Sequence, residues 1–309
     1  MFSWQRVTGD NEAGSIVQTV ANFRCYVFPF RPEPPWSVTP GSTSNPWTDA
    51  LELLLSKCGD SLSNAGRSSV RIANEITRLV NSGLGLRYGS GSPRYLFRDG
   101  LQVFEKTDSG HDVNLSTFIA NVTTEGVTPE VNCTDCANIV TVLSNLLGCR
   151  LFNVQFGAGT SAFGAFRTHR VQLIGHTDWR IPFPDLGGFD FHEISMQGIY
   201  DRNSNIYDAC LRVDRNVLKN SDTREPWLPR GAQFSKSTPY TRDDILELRV
   251  TGGRFYKEWL VSNTTAFGDA FADEFADESA GVYIKPVYWL EDVRLLRGIG
   301  GSFGGVGII

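Results

Sequence analysis

The chain has 309 residues, of which 41 % are apolar and 20 % charged, an ordinary globular balance with room for a sizeable core in one large domain or two modest ones. Its net charge of −5 is spread without long runs. No basic stripe is available to track phosphates or anionic lipid, which argues against a nucleic-acid or membrane partner.

No apolar run approaches the roughly 18–20 residues that span a bilayer. The first residues, MFSWQRVTGDNEAG, hold no basic segment followed by an apolar one, so no signal peptide is visible. Six cysteines (Cys25, Cys58, Cys133, Cys136, Cys149 and Cys210) are too few for a disulfide scaffold. The expected compartment is a reducing cytoplasm with free thiols.

Residues 15–30 are rich in β-branched and aromatic residues and read as one long strand or two short ones. Five prolines within 31–46 prevent regular pairing there. Residues 47–57 read as a helix with Leu51, Leu54 and Leu55 on one face, started by Asn45-Pro46. A clearer amphipathic helix is predicted over 67–82, where Val70, Ala73, Ile76, Thr77 and Val80 recur at the helical period. A turn-rich stretch and a strand with a turn follow to residue 115, then a short helix over 114–122.

Residues 133–147 (CTDCANIVTVLSNLL) give the best helix, with a wide apolar face and Gly148 as its stop. Such a helix suits a central position against a sheet. Beyond it the period changes to two, and strands are predicted at 149–157, 169–175, 190–200 and 205–214, the last two joined by a turn at Asp201-Arg202-Asn203-Ser204. Helices followed by strands imply an α+β fold with an antiparallel sheet. Further on, 241–250 and 253–261 read as a helix and a strand. The acidic stretch 266–281, including Asp269, Asp273, Glu274 and Asp277, reads as a solvated face without a calcium-loop motif. Pro286 marks 282–290 as an edge strand, and the glycine-rich tail is expected to fray.

A cysteine nucleophile needs its thiolate populated. Cys133 begins the central helix behind Asn132, a good N-cap residue. The helix dipole contributes only about 0.3–1 kcal/mol, and Asp135 in the same turn opposes a thiolate, so a basic partner is required. Of four histidines (His111, His169, His176 and His192), His192 sits within a strand, and Asp208 lies sixteen residues later across a hairpin. Neighbouring antiparallel strands bring side chains on one face within reach. A Cys133–His192–Asp208 triad is therefore expected, with the His192 face of the sheet against the start of the helix.

NCTDCANIVTVLSNLLGCR resembles the nucleophile helix of the transglutaminase-like superfamily. Cys133 matches the nucleophile, Ala137 the small residue and Leu147-Gly148 the helix end. FDFHEISM and IYDACL resemble the family's His and Asp strands. EITRLVNSGLGLRYGSGS resembles the helix and Tyr-containing turn before the core. The likeness covers about 66–214, and the closer look is that of uncharacterised bacterial members. The chain departs from the family in having Cys136 at a commonly aromatic or aliphatic place, Asn132 for a common glycine, Glu193 for a small residue, and Tyr207 before the Asp.

The resemblance implies a papain-like/transglutaminase core (66–215) with a central nucleophile helix packed on an antiparallel sheet. N-terminal (1–65) and C-terminal (216–309) extensions would flank it. It implies cysteine-dependent acyl transfer or amide hydrolysis on a protein, peptide or small amide or ester substrate through a thioester, with no cofactor and no metal. Other readings stay open at this point. Cys133 is a buried structural thiol, or one half of a CxxC redox pair with Cys136, or Cys136 is itself the nucleophile. A zinc site using CxxC with Cys149, Cys210 or a histidine lacks a second CxxC or paired histidines. A binding module with the same fold and no activity is a further alternative. His176 beside Asp178 rivals His192, Asp201 and Asp214 rival Asp208, and Glu193 points to the face opposite His192.

Overall fold

The computed structural model describes residues 26–33, 35–36, 46–91, 93–98, 111–158, 168–180, 192–197, 205–214, 216, 223–224, 226–227, 230–233, 256, 260, 282–286 and 293–295. These form an α+β arrangement. In chain order they are α1 (Thr48–Ala65), α2 (Ser69–Arg78), β1 (Arg87–Tyr88), β2 (Leu96–Arg98), β3 (His111–Val113), α3 (Leu115–Thr123), β4 (Glu130–Val131), α4 (Cys133–Leu146), β5 (Leu151–Ala158), β6 (Val171–Leu173), β7 (His192–Gln197), β8 (Asn205–Tyr207), β9 (Leu211–Asp214), β10 (Pro226–Trp227), β11 (Arg230–Gln233), β12 (Val282–Pro286) and β13 (Val293–Leu295).

The principal sheet is five-stranded, ordered β11-β8-β7-β5-β12, and every pairing in it is antiparallel. β12 lies at its edge, as Pro286 requires. Smaller sheets are β10-β9-β6, β13-β3-β2 and the parallel pair β1-β4.

The central helix forms as expected. Asn132 caps it by accepting from the Asp135 N–H at 3.0 Å, and the Asp135 carboxylate returns the bond to the Asn132 N–H at 3.2 Å. At the other end Gly148 has φ +78°, and a Cβ there would overlap Phe30 and come 2.5 Å from the Arg31 carbonyl. The predicted apolar face understates the burial: all fourteen residues of α4 are buried. Its polar side chains are satisfied by the sheet. Thr134 donates to Glu193, and Thr141 donates to Asn153 and lies 2.8 Å from Ser195 Oγ. Ser195 donates to the Ala137 carbonyl at 2.9 Å, and Asn153 to Asn138 Oδ1 at 2.7 Å. Burial of these groups is tolerable because each keeps a partner, whereas the Ser144 hydroxyl, also buried in α4, has none. Along its length, then, α4 rests on the Asn153, Glu193 and Ser195 face of the sheet. The His192 face, expected against the start of the helix, meets α4 only there, at Cys133.

Other expectations change in detail. Leu55 is 54 % exposed, and the buried leucines of α1 are Leu51, Leu53 and Leu54. The predicted end of that helix at residue 57 meets a backbone break at Cys58, after which α1 continues to Ala65. Trp47 precedes α1 without a side-chain cap. Val70 is only half-buried, and α2 passes into a single π-turn, Leu79–Gly83. Residues 26–30 are not strand. The rest of 15–30 and the predicted elements at 101–110 and 241–250 lie outside the described residues, as do the acidic stretch and the tail. Tyr256 and Leu260 have helical backbone, not the predicted strand.

The most consequential difference is in 205–214. It is two strands in two sheets, β8 beside β7 and β9 beside β6, with Asp208, Ala209 and Cys210 at the crossing. The crossing is held by its own hydrogen bonds. Asp208 Oδ1 accepts the Cys210 N–H at 2.8 Å, an Asx-type turn. Asn81, in the π-turn, donates to the Ala209 carbonyl at 2.8 Å, and the Ile174 N–H donates to the Cys210 carbonyl at 2.8 Å.

Candidate active site

Cys133 is the first residue of α4 and is 7 % exposed. Its position at the N-terminus of a buried helix favours negative charge on sulfur. His192 is the first residue of β7, opposite Phe156 of β5, and is fully buried. The β7–β8 register pairs Ser195 with Tyr207 and Met196 with Ile206. One step further it sets Asp208 against Ile194, diagonal to His192 on the same face. From there the Asp208 carboxylate meets the ring: His192 Nε2 is 2.7 Å from Asp208 Oδ2. The same ring lies beside the Cys133 side chain, close enough for the thiol to raise its proton affinity. The three residues singled out in the sequence thus converge, His192 from the start of β7, Asp208 from just after β8 and Cys133 from the helix start.

Burial would by itself drive the His192 ring toward its neutral form. The adjacent Asp208 carboxylate outweighs it, with the hydrogen bond to Asp208 and the nearby Cys133 thiol adding in the same direction, and the pKa rises to about 10. The imidazolium is therefore the resident form at neutral pH.

Two tyrosines complete the surroundings. Tyr256 is fully buried and donates its hydroxyl to Asp208 Oδ2 at 2.5 Å. Tyr88, paired with Val131 two residues before Cys133, lies near the thiols of Cys210, Cys133 and Cys136. Burial, and then any charge on those sulfurs, holds its hydroxyl protonated. The sequence carries no local signal for Tyr256, which stands 48 residues beyond Asp208. Tyr88 lies in the turn singled out by resemblance, but nothing in that turn shows it beside the thiols.

The chain was compared with known proteins. No family model, no curated protein and no solved structure matches it.

The rival residues have other partners. The Cys136 thiol hydrogen-bonds Cys210, is fully buried, and is pushed above the usual thiol range chiefly by that burial. All five cysteines among the described residues are free thiols. His176 Nδ1 stands 3.9 Å from Asp178, whose carboxylate is exposed and binds Arg180 at 2.6 Å. Asp214 is buried against Arg224 at 2.9 Å, and Asp201 lies outside the described residues. Glu193 does turn away from His192, but into the helix interface and not to solvent. Asp135 accepts the N–H groups of Arg94 and Tyr95 at 2.8–2.9 Å as well as that of Asn132, so it organises the helix start. Among the described residues, no group of three or more His, Cys, Asp or Glu is placed to hold a metal ion, and no helix is long and apolar enough to cross a membrane.

Proposed function

We propose that the protein is a cysteine-dependent acyltransferase or amide hydrolase of transglutaminase-like type, using Cys133, His192 and Asp208. The observation that carries this reading is the convergence of the Cys133 thiol on the hydrogen-bonded His192–Asp208 pair, at the N-terminus of a buried helix. A Cys-bearing helix laid on an antiparallel sheet, with His and Asp on adjacent strands, also fits a papain-like core.

The Cys133 thiolate attacks a carbonyl carbon, forming an S–C bond. As the tetrahedral intermediate collapses, the bond to the leaving amine or alkoxide breaks, and the His192 imidazolium gives the leaving group its proton. Water or an amine then attacks the thioester. His192 takes the proton of that nucleophile, and the S–C bond breaks to regenerate the thiolate. Asp208 holds the imidazole in the tautomer that presents its other nitrogen to sulfur. The backbone N–H of Cys133, free of an intrahelical partner at the first helical position, suits an oxyanion. The substrate class is an amide or ester of a protein, peptide or small molecule. Free thiols throughout the described residues fit a cytoplasmic location.

The redox alternative has less support, because Cys136 hydrogen-bonds Cys210 and not Cys133. A burst assay with p-nitrophenyl acetate tests the proposal. The expected result is one equivalent of p-nitrophenolate and an acetyl group on Cys133, both abolished in Cys133→Ala. An undiminished burst in Cys133→Ala, or no acetylation of wild-type Cys133, is the outcome of an inactive module and defeats it.

A further inference from the structure

We infer that Tyr256 is a positioning residue of this site, whose hydroxyl, bonded to the Asp208 oxygen that meets His192, sets how firmly the imidazole holds its proton. The inference rests on the proposed function and adds a fourth side chain to its three.

Asp208 Oδ2 is shared. It lies 2.7 Å from His192 Nε2 and accepts the Tyr256 hydroxyl at 2.5 Å, while Oδ1 takes the Cys210 N–H at 2.8 Å. A donor on a carboxylate oxygen draws off part of its charge. The same oxygen then attracts the imidazolium less strongly than it would alone. Tyr256 is well fixed for this task. It is fully buried, and Leu260, four residues on in the chain, is buried too. The Leu260 carbonyl accepts the His169 N–H at 2.8 Å, just before β6. The hydroxyl therefore reaches Asp208 from a part of the chain distant in sequence from both His192 and Asp208.

The titratable groups around the pair are Cys133 and Cys136 from α4, Asp208 and Cys210 from the crossing after β8, Tyr256 itself, and Tyr88 from β1, near Cys133 and Cys210. Of these, only Asp208 and Cys133 act directly on the His192 proton affinity. Tyr256 works through Asp208. A purely structural tyrosine would stabilise the fold without affecting that affinity.

The test follows the His192 ring proton by NMR titration in the full-length protein, wild type against Tyr256→Phe. Loss of the hydroxyl should raise the His192 titration by about one pH unit, the scale of one hydrogen bond to a charged group. In Asp208→Asn the same substitution should leave His192 unmoved. If Tyr256→Phe does not fold, 3-fluorotyrosine placed at 256 keeps the shape and is a stronger donor, and His192 should then titrate lower. An unchanged His192 titration in the phenylalanine or fluorotyrosine variant overturns the inference, whatever happens to stability. Wild-type acetylation at Cys133 is read separately. Its absence would defeat the proposed chemistry, whereas its presence with an unmoved His192 defeats only the role of Tyr256.

Discussion

A helix N-terminus is too weak to activate Cys133, so the chemistry turns on one imidazole. His192 is buried without exposure, yet the carboxylate beside it holds it charged up to about pH 10. The sign follows from linkage. A pKa raised above its unfolded value of about 6.5 gives stability that is complete below that pH and is lost as pH climbs through the folded value. The stability gap between wild type and His192→Gln, read by urea unfolding, should therefore narrow between about pH 6.5 and pH 10. A gap that widens across that window would contradict the charged ring. Asp208→Asn should drop the His192 titration by at least one pH unit, since burial then acts without its counterweight. His169 offers an internal contrast: burial outweighs the nearby Asp214 and pulls it down to about 4, so the two rings should titrate at opposite ends of one NMR series. All three proposed catalytic residues were legible in the sequence because each sits in a recognisable local pattern: a capped helix start, a strand, and a second strand across a turn. Tyr256 was not, because its role exists only through a contact between distant segments.

At the scale of elements, the site depends on two devices. The first is the capping box of α4, which fixes where the helix begins and hence where the sulfur lies. Asp135 also satisfies the N–H groups of Arg94 and Tyr95. Asn132→Ala should cost about 1 kcal/mol. Asp135→Ala should cost more, about 1–3 kcal/mol, because buried donors are left without a partner. Chemical denaturation of both variants checks the order, and an Asp135→Ala no less stable than Asn132→Ala would be evidence against this role. The second device is the crossing from β8 to β9. A period-two pattern runs through 205–214 without interruption, so the sequence reads as one strand. The break comes from hydrogen bonds that the pattern does not encode, including Asn81 on the Ala209 carbonyl. Asn81→Ala should slow acetylation of Cys133 with little change in secondary structure by circular dichroism, since it loosens the turn that presents Asp208. The apolar face of α4 is buried as expected, but the burial of its polar side was not legible, for a related reason. Thr134, Asn138 and Thr141 look like a polar stripe, but they bury against Glu193, Asn153 and Ser195.

At the scale of the whole molecule, the described N-terminal residues are part of the same core as α4. Trp36 is fully buried, stacks edge-on against Trp47 at 5.6 Å, and donates its indole N–H to the Val142 carbonyl of α4 at 2.6 Å. The Glu33 N–H reaches the Asn145 carbonyl at 2.8 Å. The prolines around Trp36 mark a loop in the sequence but do not reveal that it packs on α4. Trp36→Ala should destabilise the protein by about 3–5 kcal/mol, the usual cost of deleting a buried aromatic. A loss under about 0.5 kcal/mol, typical of a surface change, would mean that this segment is peripheral to the core.

The most direct measurement ranks the cysteines by rate of alkylation with iodoacetamide at neutral pH, read by mass spectrometry of the folded protein. Exposure and activation give opposite orders here. Cys58 is less buried than Cys133, but burial, with Glu75 adding, pushes its pKa up to about 11. Cys149 is pushed up to about 12, and Cys136 and Cys210 are fully enclosed. Among the described cysteines, only Cys133 stands at a helix N-terminus beside a charged imidazole. The expected result is that Cys133 is modified first and that His192→Gln removes its lead. Modification of Cys58 as fast as Cys133, or a Cys133 rate unchanged in His192→Gln, would contradict the assignment of Cys133 as an activated nucleophile.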